Sequence, residues 1–310
     1  MEKLIIGNTE QWIYAKGDHS KPIQFFIHGG PGFTELGAHN WFTRPLEEHF
    51  LVVHWDQRGA GRSFHNSMPV ETMTVEQIVN DAHEVILYIL KKYKKEKVLL
   101  AAHSMGTVIG FNLIEKYPHL FYAYVGISQI VHRGIEEMQS YEKAIMLAEN
   151  SGNKRAIAEL KKIQPPKNGI YFDFSELAVQ RNWLVKLGGF TPHKMIAWKT
   201  YLAVFLTWEY NLKVRFNMFK SMKFSIESMW NDFSKTDYLS RKHTINVPIF
   251  FLMGRHDCIT FTELSEKLMI NISAPVKQVI IFEDSGHLLC YEEKEKYIEF
   301  IKSVRKYIEC

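Results

Sequence analysis

Lys97-Val-Leu-Leu-Ala-Ala-His-Ser-Met-Gly106 is the stretch from which the rest of the chain can be read. Its first six residues are short, β-rich and apolar on both faces, the pattern of a buried parallel strand. Directly after it, Val108 to Tyr117 repeats apolar residues at helical spacing. Strand, tight turn and helix put Ser104 at the serine of a G-x-S-x-G nucleophile elbow, with Ala102 standing for the first glycine and adding only a methyl at the strand end. A serine hydroxyl is a poor nucleophile until a base takes its proton, and the turn lifts Ser104 Oγ clear of the sheet to meet one. Gly106 lacks the side chain that so tight a turn would crowd. A serine in this kind of turn otherwise serves as a helix cap, so the pentapeptide needs partners elsewhere.

Working outward, Pro22 to His28 and Phe50 to Asp56 repeat the buried-strand pattern upstream. Thr74 to Lys95 carries a helical apolar period opened by Thr74, with Gln77 completing a capping box. Downstream come a strand over Val247 to Met253, a helix over Thr262 to Met269, a strand over Val276 to Phe282 and a terminal helix over Glu292 to Lys306. This alternation predicts an α/β fold, a doubly wound, mostly parallel sheet. Residues 133–242 interrupt it with helical stretches punctuated by Pro165-Pro166, Gly188-Gly189 and Pro192. They are expected to form a helical cap inserted into a core domain of residues 1–132 and 243–310. The cap holds 18 Lys+Arg against 11 Asp+Glu, a solvated basic surface, and four tryptophans that belong either to its core or to an apolar pocket.

Two further elements complete the chemistry expected of the elbow. His28-Gly-Gly-Pro-Gly32 ends the first central strand, and its glycines leave backbone N–H groups uncovered; Gly30 N–H and Met105 N–H are the candidate oxyanion donors. An orienting acid and a base should follow in the order Ser, acid, His, each just past a strand. Asp257 in Gly254-Arg-His-Asp257 and His287 in Glu283-Asp-Ser-Gly-His287 satisfy that order. His287 is assigned as general base and then acid, with Asp257 fixing its tautomer. His103, His256, Glu283 and Asp284 sit beside these residues and are read as packing or supporting groups.

Taken together, His28 to Gly32, Asp56-Gln-Arg-Gly-Ala-Gly-Arg-Ser63, the Ser104 elbow, Asp257 and Gly286-His287 resemble an α/β-hydrolase of the prolyl iminopeptidase family. The resemblance implies an aminopeptidase that releases an N-terminal residue from short peptides. It also implies a cap carboxylate for the free amine, for which Trp208-Glu209 is the matching pair; a solvated helix Glu is the other reading of Glu209. The elbow departs from the family, with Ala-His-Ser-Met-Gly where members often show Gly-Gly-Ser-Trp-Gly, and a second acidic cap element has no clear match. The alternatives are a hydrolase of a small ester, thioester, lactone or amide, and a non-catalytic binding protein on the same fold.

Composition narrows the partners. The 310 residues are 46% hydrophobic and 23% charged, ordinary for a folded globular chain. A net charge of +4, with no interleaving of basic and aromatic residues, argues against nucleic acid. No secretory signal and no transmembrane run is visible, and three cysteines, Cys258, Cys290 and Cys310, make no zinc spacing. The expectation is a cytoplasmic enzyme with a small-molecule or short-peptide substrate, no membrane partner, no metal and no cofactor; Gly59-Ala-Gly61 lacks the third glycine of a dinucleotide fingerprint.

Overall fold

The computed structural model describes every residue except Asn168, Phe172, Glu309 and Cys310. The strands are β1 (Glu2–Ile6), β2 (Thr9–Lys16), β3 (Ile23–Ile27), β4 (Leu51–Asp56), β5 (Val98–His103), β6 (Phe121–Ile127), β7 (His243–Thr244), β8 (Ile249–Gly254), β9 (Ile272–Ser273) and β10 (Lys277–Phe282). The α-helices are α1 (Leu36–Ala38), α2 (Val75–Tyr93), α3 (Met105–Lys116), α4 (Arg133–Asn150), α5 (Lys154–Ile163), α6 (Phe174–Leu187), α7 (Lys194–Leu206), α8 (Leu212–Phe233), α9 (Thr262–Asn271), α10 (Leu289–Glu292) and α11 (Lys294–Ser303). Eight strands form one sheet in the order β1-β2-β4-β3-β5-β6-β8-β10, while β7 and β9 pair separately. Pairing is antiparallel at β1/β2 and β2/β4 and parallel from β4 to β10.

The apolar runs become central strands because each feeds two cores. On β5, Val98, Leu100 and Ala102 enter the core beneath α2, α3 and α9, whereas Leu99 and Ala101 enter the one beneath α10 and α11. Alternating side chains point to opposite faces of a strand, so a sheet covered on both sides needs apolar residues at every position. An edge hairpin adds to the expected set of buried strands: β1 alternates half-buried and exposed residues up to buried Ile6, and β2 is more deeply buried, about a Gly7-Asn8 turn whose φ values are 52° and 61°, the positive pair that a tight hairpin requires. Strand β6 is a second addition to that set.

Helix α2 starts at Thr74 as expected, with its hydroxyl accepting the Gln77 N–H at 3.1 Å. The reciprocal half of the capping box is replaced, since the Gln77 amide donates instead to Asp81 at 2.8 Å. The terminal helix expected over Glu292 to Lys306 divides into α10, α11 and a closing 3-10 turn.

Among the described residues five helices, α4 to α8, lie between β6 and β7. The chain leaves and rejoins the sheet at one place: Tyr238 N–H donates to Val131 O at 2.9 Å and Arg133 N–H to Thr236 O at 3.0 Å.

Candidate active site

Ser104 stands between β5 and α3 with φ 52° and ψ −122°, a conformation costing a non-glycine residue on the order of 1–3 kcal/mol. Close packing of the turn against β3 holds it there: a Cβ at Gly106 would lie 2.5 Å from Ile27 O and 2.6 Å from His28 O, so only glycine fits. Ala102, the departure from the motif, is accommodated across the turn by Gly110, where a Cβ would come within 3.1 Å of the Ala102 methyl.

The loops after β8 and β10 bring Asp257 and His287 to this serine. His287 Nε2 lies 2.8 Å from Ser104 Oγ, and His287 Nδ1 lies 2.8 Å from Asp257 Oδ2. An ionised carboxylate can only accept, so Nδ1 carries the proton and Nε2 is left to accept from the serine hydroxyl. Asp257 also accepts from Thr260 Oγ1 at 2.6 Å, Ile259 N–H at 2.7 Å and Thr260 N–H at 3.1 Å. Burial alone would raise its pKa, but His287 and these donors outweigh burial and hold the carboxyl below its ordinary range. Burial pulls the His287 pKa below 6.5; Asp257 opposes this, and the charges of His103 and Arg181 add to it.

A buried network missing from the sequence reading braces this arrangement. Glu35 accepts from Gly29 N–H at 2.7 Å, His103 Nδ1 at 2.8 Å and Tyr291 Oη at 2.5 Å. His103 Nε2 meets His287 O at 2.9 Å. Both partners of His103 are acceptors, so both its ring nitrogens donate and the imidazole is charged. Burial disfavours that charge, yet Glu35 raises the His103 pKa above normal, and Glu35 itself is drawn down to about 2 against its own burial. Gly29 N–H is thus committed to Glu35, whereas Gly30 and Met105 line the cavity in front of Ser104. Met105 opens α3, so its N–H is a first-turn donor without an intrahelical acceptor.

That cavity encloses about 520 Å³ between the sheet and α6 to α8, with Ser104 and His287 in its wall. Its lining is mainly apolar, including Phe174, Leu177, Phe190, Phe219 and Phe233. Arg133 and Arg181 also line it and share the Glu137 carboxylate, while Glu35 is its acidic lining residue and is already saturated by three donors. Gly189 and Phe190 hold the loops of Asp257 and His287 in place, since Phe190 O accepts from His287 N–H at 2.8 Å and Gly189 O from Cys258 N–H at 2.9 Å.

Glu209 and Trp208 do not join the site. Glu209 is 1% exposed, paired with Lys16 and bonded to Asn40 and Thr207, and it is not among the residues lining the cavity. A carboxylate already holding an ammonium group has no charge left for a substrate amine, so the amine-anchor expectation is corrected. Trp208 is 74% exposed, with Lys16 over its ring. Glu283, near His287 in sequence, stands apart as well and pairs with Arg255 at the surface. Asp56 is a buried structural hub that accepts from Tyr14, Tyr210 and Arg62 N–H, and burial pushes its pKa up to about 6. Glu35 gives no signal in a one-dimensional reading, because its partners come from three distant segments.

Comparison with known proteins agrees with this architecture. The model of the alpha/beta hydrolase fold family matches residues 25–294. A probable aminopeptidase, YbaC of Bacillus subtilis (strain 168), is 30% identical over 299 residues, covering 94% of this chain and 92% of its own. A proline iminopeptidase of Saccharolobus solfataricus is 25% identical, covering 89% and 82%. Among solved structures, the proline iminopeptidase-related protein TTHA1809 from Thermus thermophilus superposes with a TM-score of 0.65 at 19% identity, covering 99% and 96%. The enol-lactonase from Burkholderia xenovorans LB400 gives 0.64 at 16%, covering 98% and 100%, so the fold is shared with a different chemistry. The parallel sheet, the serine elbow and the match along most of its length make this chain a member of the alpha/beta hydrolase fold family.

Proposed function

We propose that this protein is a serine hydrolase in which Ser104 attacks an acyl carbon, His287 takes and later returns the proton, and Asp257 orients the imidazole. The observation that carries this reading is the continuous Ser104–His287–Asp257 hydrogen-bond chain at the wall of a substrate-sized cavity. Met105 N–H and Gly30 N–H would receive the tetrahedral oxyanion. Collapse would expel the leaving group with the proton from His287, and water activated by the same imidazole would release the acyl group. Residues 133–242 act as a cap that forms the roof of the cavity and braces the His287 loop through Phe190.

We favour short peptides with a free N-terminus as substrates, because one relative is named a probable aminopeptidase and another a proline iminopeptidase. A second reading, a small ester, lactone or amide, is favoured by the cavity wall, which is apolar with two arginines and presents no unsaturated lining carboxylate for an amine. The deciding experiment compares kcat/KM for aminoacyl and prolyl arylamides with that for short-chain p-nitrophenyl esters and lactones. Turnover of arylamides supports the aminopeptidase; turnover confined to esters or lactones replaces it with the second reading. Failure of every substrate, together with no labelling of Ser104 by a fluorophosphonate, would leave a binding protein on a hydrolase fold.

A further inference from the structure

Seventeen large apolar side chains stand exposed among the described residues, and nine of them fall between Met195 and Phe219, on α7, α8 and the segment that joins them. On α7, Met195, Trp198 and Phe205 recur at helical spacing; on α8, Leu212, Phe216 and Phe219 do the same. Phe216 is 75% exposed and Phe219 74%, values at which a side chain contributes little to the core. Tyr201 and Phe219 are exposed and also line the Ser104 cavity, so the two stripes meet at its mouth.

Charge identifies what would cover this face. Lys194, Lys199, Lys213 and Lys220 are all exposed, and the sole acidic residue between 194 and 220 is Glu209, which is buried against Lys16; the next lysine along α8, Lys223, is paired with Glu227. A second copy applied to the same face would bring lysines against lysines, a repulsive juxtaposition. An anionic bilayer meets both demands, since aromatic and aliphatic groups enter the headgroup–acyl boundary while lysines reach the phosphates.

We propose that the α7–α8 face docks this protein on an anionic lipid surface, with the Ser104 cavity opening toward that surface. The docking is peripheral, for no helix among the described residues is long and apolar enough to cross a membrane. The sequence-based expectation of no membrane partner rests on the lack of such a span, which does not bear on an interfacial face. The inference does not depend on the hydrolase reading.

The test mixes the full chain with vesicles of phosphatidylcholine alone or of phosphatidylcholine with phosphatidylglycerol. Co-sedimentation is expected with the anionic vesicles at low salt and is expected to weaken as salt screens the lysines. Brominated acyl chains should quench the fluorescence of Trp198 and Trp208. A Trp198→Ser/Leu212→Ser/Phe216→Ser variant should lose binding, and in a separate series each of Lys199→Ala, Lys213→Ala and Lys220→Ala should lower partitioning about fivefold. Unchanged melting temperature and far-UV circular dichroism establish that the variants are folded, and the surface lysine series carries the test if the apolar variant is not. Absence of co-sedimentation with anionic vesicles, or binding unaffected by both sets of substitutions, would overturn the proposal. So would light scattering that shows a dimer which the apolar variant converts to a monomer, because a second copy would then occupy the face.

Discussion

Asp257→Asn tests the catalytic assignment through the geometry of a single carboxylate. Oδ1 faces two backbone donors, the N–H groups of Ile259 and Thr260, while Oδ2 faces His287 Nδ1 and the Thr260 hydroxyl. An asparagine must turn its amide nitrogen to one side or the other. Toward the backbone it would set donors against two N–H groups that cannot accept, at about 1–3 kcal/mol for each donor left unsatisfied, or about 2–6 kcal/mol in all. Toward the histidine it meets a hydroxyl that can rotate to accept and an imidazole that can change tautomer, so this orientation wins. His287 then carries its proton on Nε2, facing Ser104, and cannot act as a base toward it. Restoring the productive tautomer requires the other amide orientation, so kcat/KM for an activated ester should fall by roughly 30-fold to 10⁴-fold. The assay is steady-state hydrolysis of p-nitrophenyl acetate, with circular dichroism to establish folding. A variant within threefold of wild type would refute the assignment of Asp257. Loss of activity in Asp284→Asn instead would move the acid to the other loop.

Ser104→Ala should abolish both turnover and fluorophosphonate labelling while leaving the melting temperature close to wild type; labelling that persists would place the nucleophile elsewhere. The kcat/KM–pH profile should rise on its acid side through an apparent pKa below 6.5, because burial and the cations at His103 and Arg181 disfavour protonated His287. His103→Gln removes a positive charge whose ring centre lies 5.2 Å from that of His287, so the acid limb should move to higher pH. A limb that does not move would reduce His103 to a packing role. Glu209→Gln should lower stability by about 1.5–3 kcal/mol, as the partly buried Lys16 loses its charged partner, and should change kcat/KM for arylamides and esters alike by less than threefold. Selective loss of arylamide turnover would restore Glu209 as an amine anchor against the geometry described above.

The sheet, the crossover helix α2 and the order of the loops bearing Ser104, Asp257 and His287 are legible in one dimension, because each is set by short-range rules. Strands covered on both faces read as unbroken apolar runs, helices show their period, and the elbow demands small residues at fixed offsets around its serine. Strand β6 obeys the same rule in Phe121 to Ile127 and is legible by it, although absent from the expected set, whereas the β1–β2 hairpin carries the weaker alternating signal of a sheet edge. Properties that depend on which distant side chains meet have no such signature. Glu209 sits beside a tryptophan, as a substrate anchor would in the resembling family, yet Lys16, 193 positions away, neutralises it. Glu35 sits in an unremarkable turn and becomes a buried anion only because His103 and Tyr291 close around it. The exposed apolar stripes of α7 and α8 look like ordinary core-facing helix surfaces when read along the chain. Hydrophobic period reports that a helix has an apolar face, but only tertiary packing decides whether that face is buried.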